Sequence, residues 1–237
     1  MSRLAQRIRL RLADLATGLL TETAYTRLRR LGFRPNGIVD AGAYQGEWSR
    51  LIAGVFPRTP IVMIDAQEDM SSTLQLVQQT LAETGYKICL LGASEGTEVP
   101  FNLMGRGSGI YRERSNVPRS MVYLTTQTLD NVMTEFDKLR DPLLVKLDVQ
   151  GAELDVLQGA TNTLEKTEII QLEVSLMRYH DDAPTIYDVF EFMKERGFVP
   201  FDVCGFVRAP PKYLALMQAD ILFAREYSIL RSNYFMF

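Results

Sequence analysis

The chain has 237 residues, 46% of them apolar and 23% charged, with 26 Lys and Arg against 29 Asp and Glu for a formal net charge of −3. That length is ample for one large buried core, and the apolar fraction excludes a disordered chain. The slight acidic excess argues against nucleic acid as the main partner, because neutralising phosphates takes a concentrated basic surface.

The first 35 residues read as a segment of their own. Arg3, Arg7, Arg9, Arg11, Arg27, Arg29, Arg30 and Arg34 face only Asp14 and Glu22 there, while Leu4, Ile8, Leu12, Leu15 and Leu19 recur at helical spacing. Thr21 to Leu31 continues the pattern, and Gly32 and Pro35 end it. No apolar run approaches the roughly 20 residues of a spanning helix. Asp14 also interrupts the stretch that a secretory signal would need. Such a helix is read first as a cap on the domain or on a second subunit, which would make a homodimer. The second reading is peripheral contact with an anionic membrane surface, at the inner face of the membrane. The two cysteines, Cys89 and Cys204, lack CxxC spacing and histidine neighbours. A zinc cluster is not expected, and a reducing, cytoplasmic location is.

From residue 36 to 237 the sequence reads as one α/β domain. Short apolar runs at Gly37 to Ala41, Ile61 to Asp65, Ile88 to Leu91, Leu143 to Asp148 and Ile169 to Val174 are read as strands. Helix-length segments at Glu47 to Phe56, Asp69 to Glu83 and Ala152 to Leu164 lie between several of them. Strands alternating with crossover helices predict a parallel sheet covered on both faces. The stretch from Gly96 to Tyr123, with its glycines, Pro100, Pro118 and Arg106, Arg112, Arg114 and Arg119, departs from this rhythm and reads as an irregular excursion or β-hairpin. Phe198 to Val207 and Ala219 to Phe223 leave no room for a crossover and are expected to pair antiparallel.

Ligands of such sheets gather beyond the carboxyl ends of the strands, near the switch point. Asp40, Asp65, Asp148 and Glu173 are expected at four of those ends. After Asp40 the loop runs Ala41, Gly42, Ala43, Tyr44, Gln45, Gly46 and enters a helix at Glu47. Gly42 allows a tight turn, and Gly46 allows close packing or close ligand approach at the helix start. The dinucleotide fingerprint needs a glycine where Tyr44 stands, so a nicotinamide dehydrogenase loses ground. Asp65 is placed to accept hydrogen bonds from ribose hydroxyls, which suits a nucleoside carried without a pyrophosphate.

Lys146 and Asp148 stand two apart on an otherwise apolar strand and point to the same side. A lysine buried there needs a partner, so a structural ion pair is weighed beside a catalytic role. Gly151 allows a turn, Ala152 to Ala160 reads as a helix closed around Gly159, and Glu153 either favours the helix dipole or meets a ligand.

These residues resemble the FkbM family of S-adenosylmethionine-dependent methyltransferases. The resemblance is carried by Val39 to Ser49, by Val145-Lys146-Leu147-Asp148-Val149-Gln150-Gly151-Ala152-Glu153, by Val156 to Ala160 and by Gln218 to Arg225, and spans about residues 36 to 226. It implies a Rossmann-like seven-stranded methyltransferase sheet whose last strand is antiparallel. It also implies S-adenosyl-L-methionine as cofactor and O-methylation of a hydroxyl on a sugar, glycan or natural product. Two residues depart from the family: Tyr44 stands where Asn is common, and Gln150 where Glu is usual.

Cofactor contacts are therefore expected from Asp40, Gly42, Ala43, Tyr44, Gly46, Asp65, Ala66, Ala93, Ser94 and Asp148. Lys146, Asp148, Glu173 and His180 are the catalytic candidates. His180, the only histidine, lies in the segment expected over the cleft and is the first choice of general base, with Lys146 or Asp148 in reserve. The bland reading of His180 is an exposed loop residue. A divalent metal would find two oxygen ligands, Asp148 and Glu173, and no metal site is assigned. Three function classes stay in view: an O-methyltransferase, a catalytically silent adenosine-binding or interaction module, and a dehydrogenase.

Overall fold

The computed structural model describes residues 19–178, 180–208 and 215–231. Helix α1 covers residues 19–30. The remaining elements are β1 (Gly37–Ala41), α2 (Glu47–Val55), β2 (Ile61–Asp65), α3 (Ser71–Thr80), β3 (Thr84–Ile88), β4 (Leu90–Leu91), β5 (Glu98–Leu103), β6 (Ser120–Gln127), α4 (Leu129–Met133), β7 (Leu143–Leu147), α5 (Glu153–Gln158), α6 (Thr161–Glu165), β8 (Thr167–Ser175), α7 (Ile186–Glu195), β9 (Phe198–Arg208) and β10 (Leu216–Arg225). Among the described residues, seven strands form one sheet in the order β3-β2-β1-β7-β8-β10-β9, and β4, β6 and β5 form a small second sheet. Strand β10 runs antiparallel to both β8 and β9, while β3, β2, β1, β7 and β8 are mutually parallel. This is the Rossmann-like sheet with its last strand reversed.

The alternation of side chains sorts the apolar runs onto two faces. Val39, Val145, Ile170 and Phe223 pack into one core with Val156, Leu157, Val189 and Met193 of the helices. Ile38, Leu144, Ile169 and Leu222 pack into the other with Tyr25, Leu28, Ile52, Leu74 and Val77. Tyr25 and Leu28 are fully buried, so α1 contributes to this second core and is not a detached arm. The amphipathic pattern at residues 4–18 lies outside the described residues.

Several boundaries differ from the sequence reading. The third strand pairs with β2 over Thr84–Ile88, and the apolar residues that follow, Leu90 and Leu91, leave it to pair with β6. The Gly96 to Tyr123 excursion contains β5 and the start of β6, an antiparallel pair with a long connecting loop. The helix-length segment from Ala152 to Leu164 holds two helices: α5 closes at Gly159, as expected, and a second helix, α6, starts after Ala160. Asp130 on α4 explains that start: its carboxylate accepts the N–H groups of Asn162 (2.8 Å) and Thr163 (2.7 Å), capping a new helix N-terminus from a distant position. Helix α7 is missing from the sequence reading altogether. Its local signal is Thr185-x-x-Asp188, in which Asp188 Oδ2 accepts from the Thr185 N–H at 2.7 Å.

Candidate functional site

At the carboxyl ends of β1, β2 and β7, where the strand order reverses, lies a cavity of about 420 Å³. That size falls within the roughly 300 to 1,000 Å³ usual for small-molecule sites. Of the expected site residues, Gly42, Ala43, Tyr44, Asp65, Ala66, Lys146 and Asp148 line it.

The loop after β1 is built from left-handed turns: Gly42, Tyr44 and Gly46 have φ of 75°, 48° and 70°. At Gly42 a side chain is excluded, because a Cβ would stand 1.8 Å from the Asp148 carbonyl oxygen. The loop thus rests directly against the end of β7. Its amides are spent at home: Gly42 and Ala43 donate to the Ile64 carbonyl, Tyr44 donates to Asp65 Oδ2 at 2.7 Å, and Gly46 donates to the Ala43 carbonyl. A loop whose N–H groups are engaged in this way cannot cradle a pyrophosphate. Gly46 lines no part of the cavity; a Cβ there would meet Val77 Cγ2 at 2.9 Å, so its smallness serves the packing of α2 on α3.

Asp65 is buried, and Oδ1 accepts from the Gln67 N–H at 2.9 Å. Burial raises its pKa, against the pull of the Gln67 and Tyr44 amides. Asp65 therefore ties the β1 and β2 loops together while facing the cavity. Leu90, Leu91 and Phe101 form an apolar wall beyond it.

The other end of the cavity is polar. Lys146 Nζ lies 3.1 Å from Asp40 Oδ1, 3.5 Å from Asp148 Oδ2 and 3.2 Å from the Gly42 carbonyl. Burial lowers the Lys146 pKa, but Asp40 and Asp148 raise it by more, and the net shift is upward. Asp40 corrects an expectation: it is fully buried and lines no part of the cavity, because Lys146 and the Ser49 hydroxyl (2.7 Å) take up its oxygens. Gln150, the residue where the family usually has Glu, donates to Asp148 Oδ1 (2.9 Å) and to Glu173 Oε2 (3.2 Å). An amide there bridges two carboxylates where a third acid would repel both. Glu173 itself sits behind the lining, also bound by Gln218 Nε2 at 2.8 Å, with its pKa raised by burial and then by Asp148 and Asp220. Glu153 accepts from the Val149 and Gly151 N–H groups at 3.0 and 3.3 Å and so holds the turn after β7.

His180 corrects a second expectation. It is 2% exposed, so it is neither an exposed loop residue nor part of the cavity lining. Its backbone bridges to Glu113, which seats it behind the Gly151 turn, and burial lowers its pKa. Ala93 and Ser94 correct a third: both are exposed and outside the lining, because the chain turns at β4 to join the second sheet. The Ser94 hydroxyl is engaged with Thr97 Oγ1 instead.

Among the lining residues that sequence reasoning did not single out are Trp48, Gln171 and Asp220. Asp40, Lys146 and Gln171 are register partners across β1, β7 and β8, a polar row on the face covered by α1 and α2. Gln171 Oε1 accepts from the Tyr25 hydroxyl at 2.6 Å and the Trp48 indole at 3.3 Å. Asp220 on β10 completes this end, with its pKa pushed up to about 7 by burial and by Asp148, against the opposing pull of Lys146 and of a Gln171 hydrogen bond.

An apolar wall, an acid ending β2 and a carboxylate-rich far end fit S-adenosylmethionine, whose parts are a purine, a ribose and a cationic sulfonium. No group of three or more His, Cys, Asp or Glu among the described residues is disposed to hold a metal ion.

The chain is similar to several solved methyltransferases at low identity. An rRNA methylase from Streptococcus thermophilus is 11% identical with a TM-score of 0.48, covering 86% of this chain and 94% of its own. A precorrin-6y C5,15-methyltransferase from Geobacter metallireducens is 10% identical with a TM-score of 0.47, covering 86% and 87%. A SAM-dependent methyltransferase from Aquifex aeolicus is 11% identical with a TM-score of 0.41, covering 83% and 87%. No curated protein matches the chain in sequence. The family model of the FkbM methyltransferase domain matches residues 40–200, which take in the β1 loop, the acid ending β2 and the Lys146 to Glu153 segment. The chain therefore belongs to the FkbM methyltransferase family, with S-adenosylmethionine as its cofactor.

Proposed function

We propose that the protein transfers a methyl group from S-adenosylmethionine to a hydroxyl of a sugar, glycan or natural product. The observation that carries this reading is the polar end of the cavity, where the Trp48 ring, the Gln171 amide and the carboxylates of Asp148 and Asp220 meet. An aromatic face beside hydrogen-bond acceptors suits a hydroxylated ring, which has apolar C–H faces and donors at its edge.

When bound, S-adenosylmethionine supplies a methyl group on a positively charged sulfur. The Gly42 to Tyr44 loop and Asp65 would hold its nucleoside, Ala66, Leu90 and Leu91 would face the base, and Asp148 would face the charged end. Lys146 serves as an anchor: its raised pKa keeps it protonated, so it orients Asp148 and takes no proton. Holding acceptor oxygen and methyl carbon in line supplies much of the acceleration in such a reaction.

The test is transfer of tritiated methyl from S-adenosylmethionine to a panel of polyols, monosaccharides and amines. Base-stable ether label in the hydroxylated compounds is expected. Label in the amines alone would contradict O-methyl transfer, and cofactor binding with no transfer to any compound would favour the silent module.

A further inference from the structure

Asp220 lies outside residues 40–200, the span matched by the family model, and has no expected role from the strand-end pattern. Its surroundings are nonetheless built around its carboxylate. On β9, Gly205 is its register partner, and a Cβ there would meet Asp220 Oδ2 at 2.1 Å, so the glycine makes the space the carboxylate occupies. On β8, Gln171 accepts through Oε1 from two donors, Tyr25 and Trp48, which turns its amide nitrogen toward Asp220. Three elements thus aim one acid into the cavity beside Lys146 and Asp148.

We propose that Asp220 is the catalytic proton acceptor of this site, oriented by Gln171 and admitted by Gly205. The proposal rests on O-methyl transfer as the reaction. The acceptor oxygen forms the new O–C bond as the S–C bond breaks, with the breaking bond's electron pair passing to sulfur, whose positive charge is thereby neutralised. The hydroxyl proton passes to the Asp220 carboxylate and from there to solvent. Other candidates are worse placed: Lys146 is held protonated, His180 lies behind the lining, and Glu173 is bound by two amides. An acid that titrates near neutrality matches a general base working at cellular pH. The ionisable groups around it are Lys146 on β7 and Asp148 just after it, Glu173 from β8, Cys204 from β9 and Tyr25 from α1, so a measured pKa belongs to Glu173 and Asp220 together.

The experiment is calorimetry on the full chain near pH 7, in two buffers of unlike ionisation enthalpy. The probes are S-adenosylmethionine, which carries a sulfonium charge, and S-adenosylhomocysteine, which does not. A cation beside Asp220 favours its ionised form, so wild type should release up to about half a proton more with the first probe than with the second. Asp220→Asn should bind S-adenosylhomocysteine with wild-type affinity and S-adenosylmethionine more weakly, show no excess proton release, and transfer tritiated methyl to molar glycerol about 100-fold more slowly. Gly205→Ala, which crowds the same carboxylate from the neighbouring strand, should lower the transfer rate while leaving homocysteine-probe affinity intact. Unchanged proton release in Asp220→Asn, or transfer at the wild-type rate, overturns the proposal. Lost affinity for both probes in that variant also overturns it, by making Asp220 a structural residue. Wild type that binds the probes and labels only amines overturns O-methyl transfer, and is told apart by its intact excess proton release.

Discussion

Both oxygens of Asp65 are engaged by backbone amides, from Tyr44 on one side and Gln67 on the other, so this acid shapes the cavity as well as facing it. Asp65→Ala should weaken S-adenosylmethionine binding by about 1 to 3 kcal/mol, the usual size for losing hydrogen bonds to a charged group. Calorimetry checks this, and unchanged affinity would remove Asp65 from the cofactor site. Glu153 and Asp220 are among the buried acids that set the response to pH. Both are raised to about 7 by burial first, Asp220 next by Asp148, while the amides around Glu153 oppose the rise. The folded chain then keeps protons that the unfolded chain has released. The resulting stability is full below the ordinary carboxylate range and is lost as pH rises through about 7, with a slope on the order of 1 kcal/mol per pH unit per group. Glu153→Gln keeps an oxygen for the Val149 and Gly151 amides and removes one titration. Its melting temperature should therefore fall less steeply than that of wild type between about pH 5 and pH 7.5. Asp65 was legible in the sequence because it closes an apolar run at a loop start. Asp220 was not, because its environment comes from Gly205 and Gln171 on neighbouring strands, and no local spacing announces either.

Among the elements, the β1 loop and the β7 turn behave as one unit. Gly42 has a φ of 75° and would place a Cβ 1.8 Å from the Asp148 carbonyl, so Gly42→Ala forces both strain and displacement. We expect a loss of about 1 to 3 kcal/mol in stability together with weaker cofactor binding. Thermal melting and calorimetry on the same sample check both, and wild-type values in both would contradict the close approach. Strands β1, β2 and β7 were readable because each is a short apolar run buried on both faces. The close of α5 at Gly159 was readable too, but the start of α6 was not, since the cap that begins it comes from Asp130 on another helix. His180 shows the same limit, for its burial depends on a bridge to Glu113 across a long loop. The Thr185 to Asp188 signal for α7 was present and local, and it was overlooked.

Over the whole molecule, the strand order puts the cavity where β1 meets β7, with β2 to one side and the β8 and β10 polar row to the other. Helix α1 closes that row from above through Tyr25, and its Thr21 lines the cavity, so the basic N-terminal segment reaches the site from at least residue 21 onward. No helix of the described residues is long and apolar enough to cross a membrane. The fold as a whole was legible because strand and helix alternation survives in each apolar run. The second sheet was not, since it depends on Leu90 and Leu91 leaving the main sheet for β6. The engaged amides of the β1 loop and the acid ending β2 suit S-adenosylmethionine and not a dinucleotide. Calorimetric titration of the full chain with S-adenosylmethionine and with NAD, side by side, separates the two. Saturable one-site binding of S-adenosylmethionine with no heat from NAD is expected; binding of NAD without S-adenosylmethionine would make the cavity a dinucleotide site.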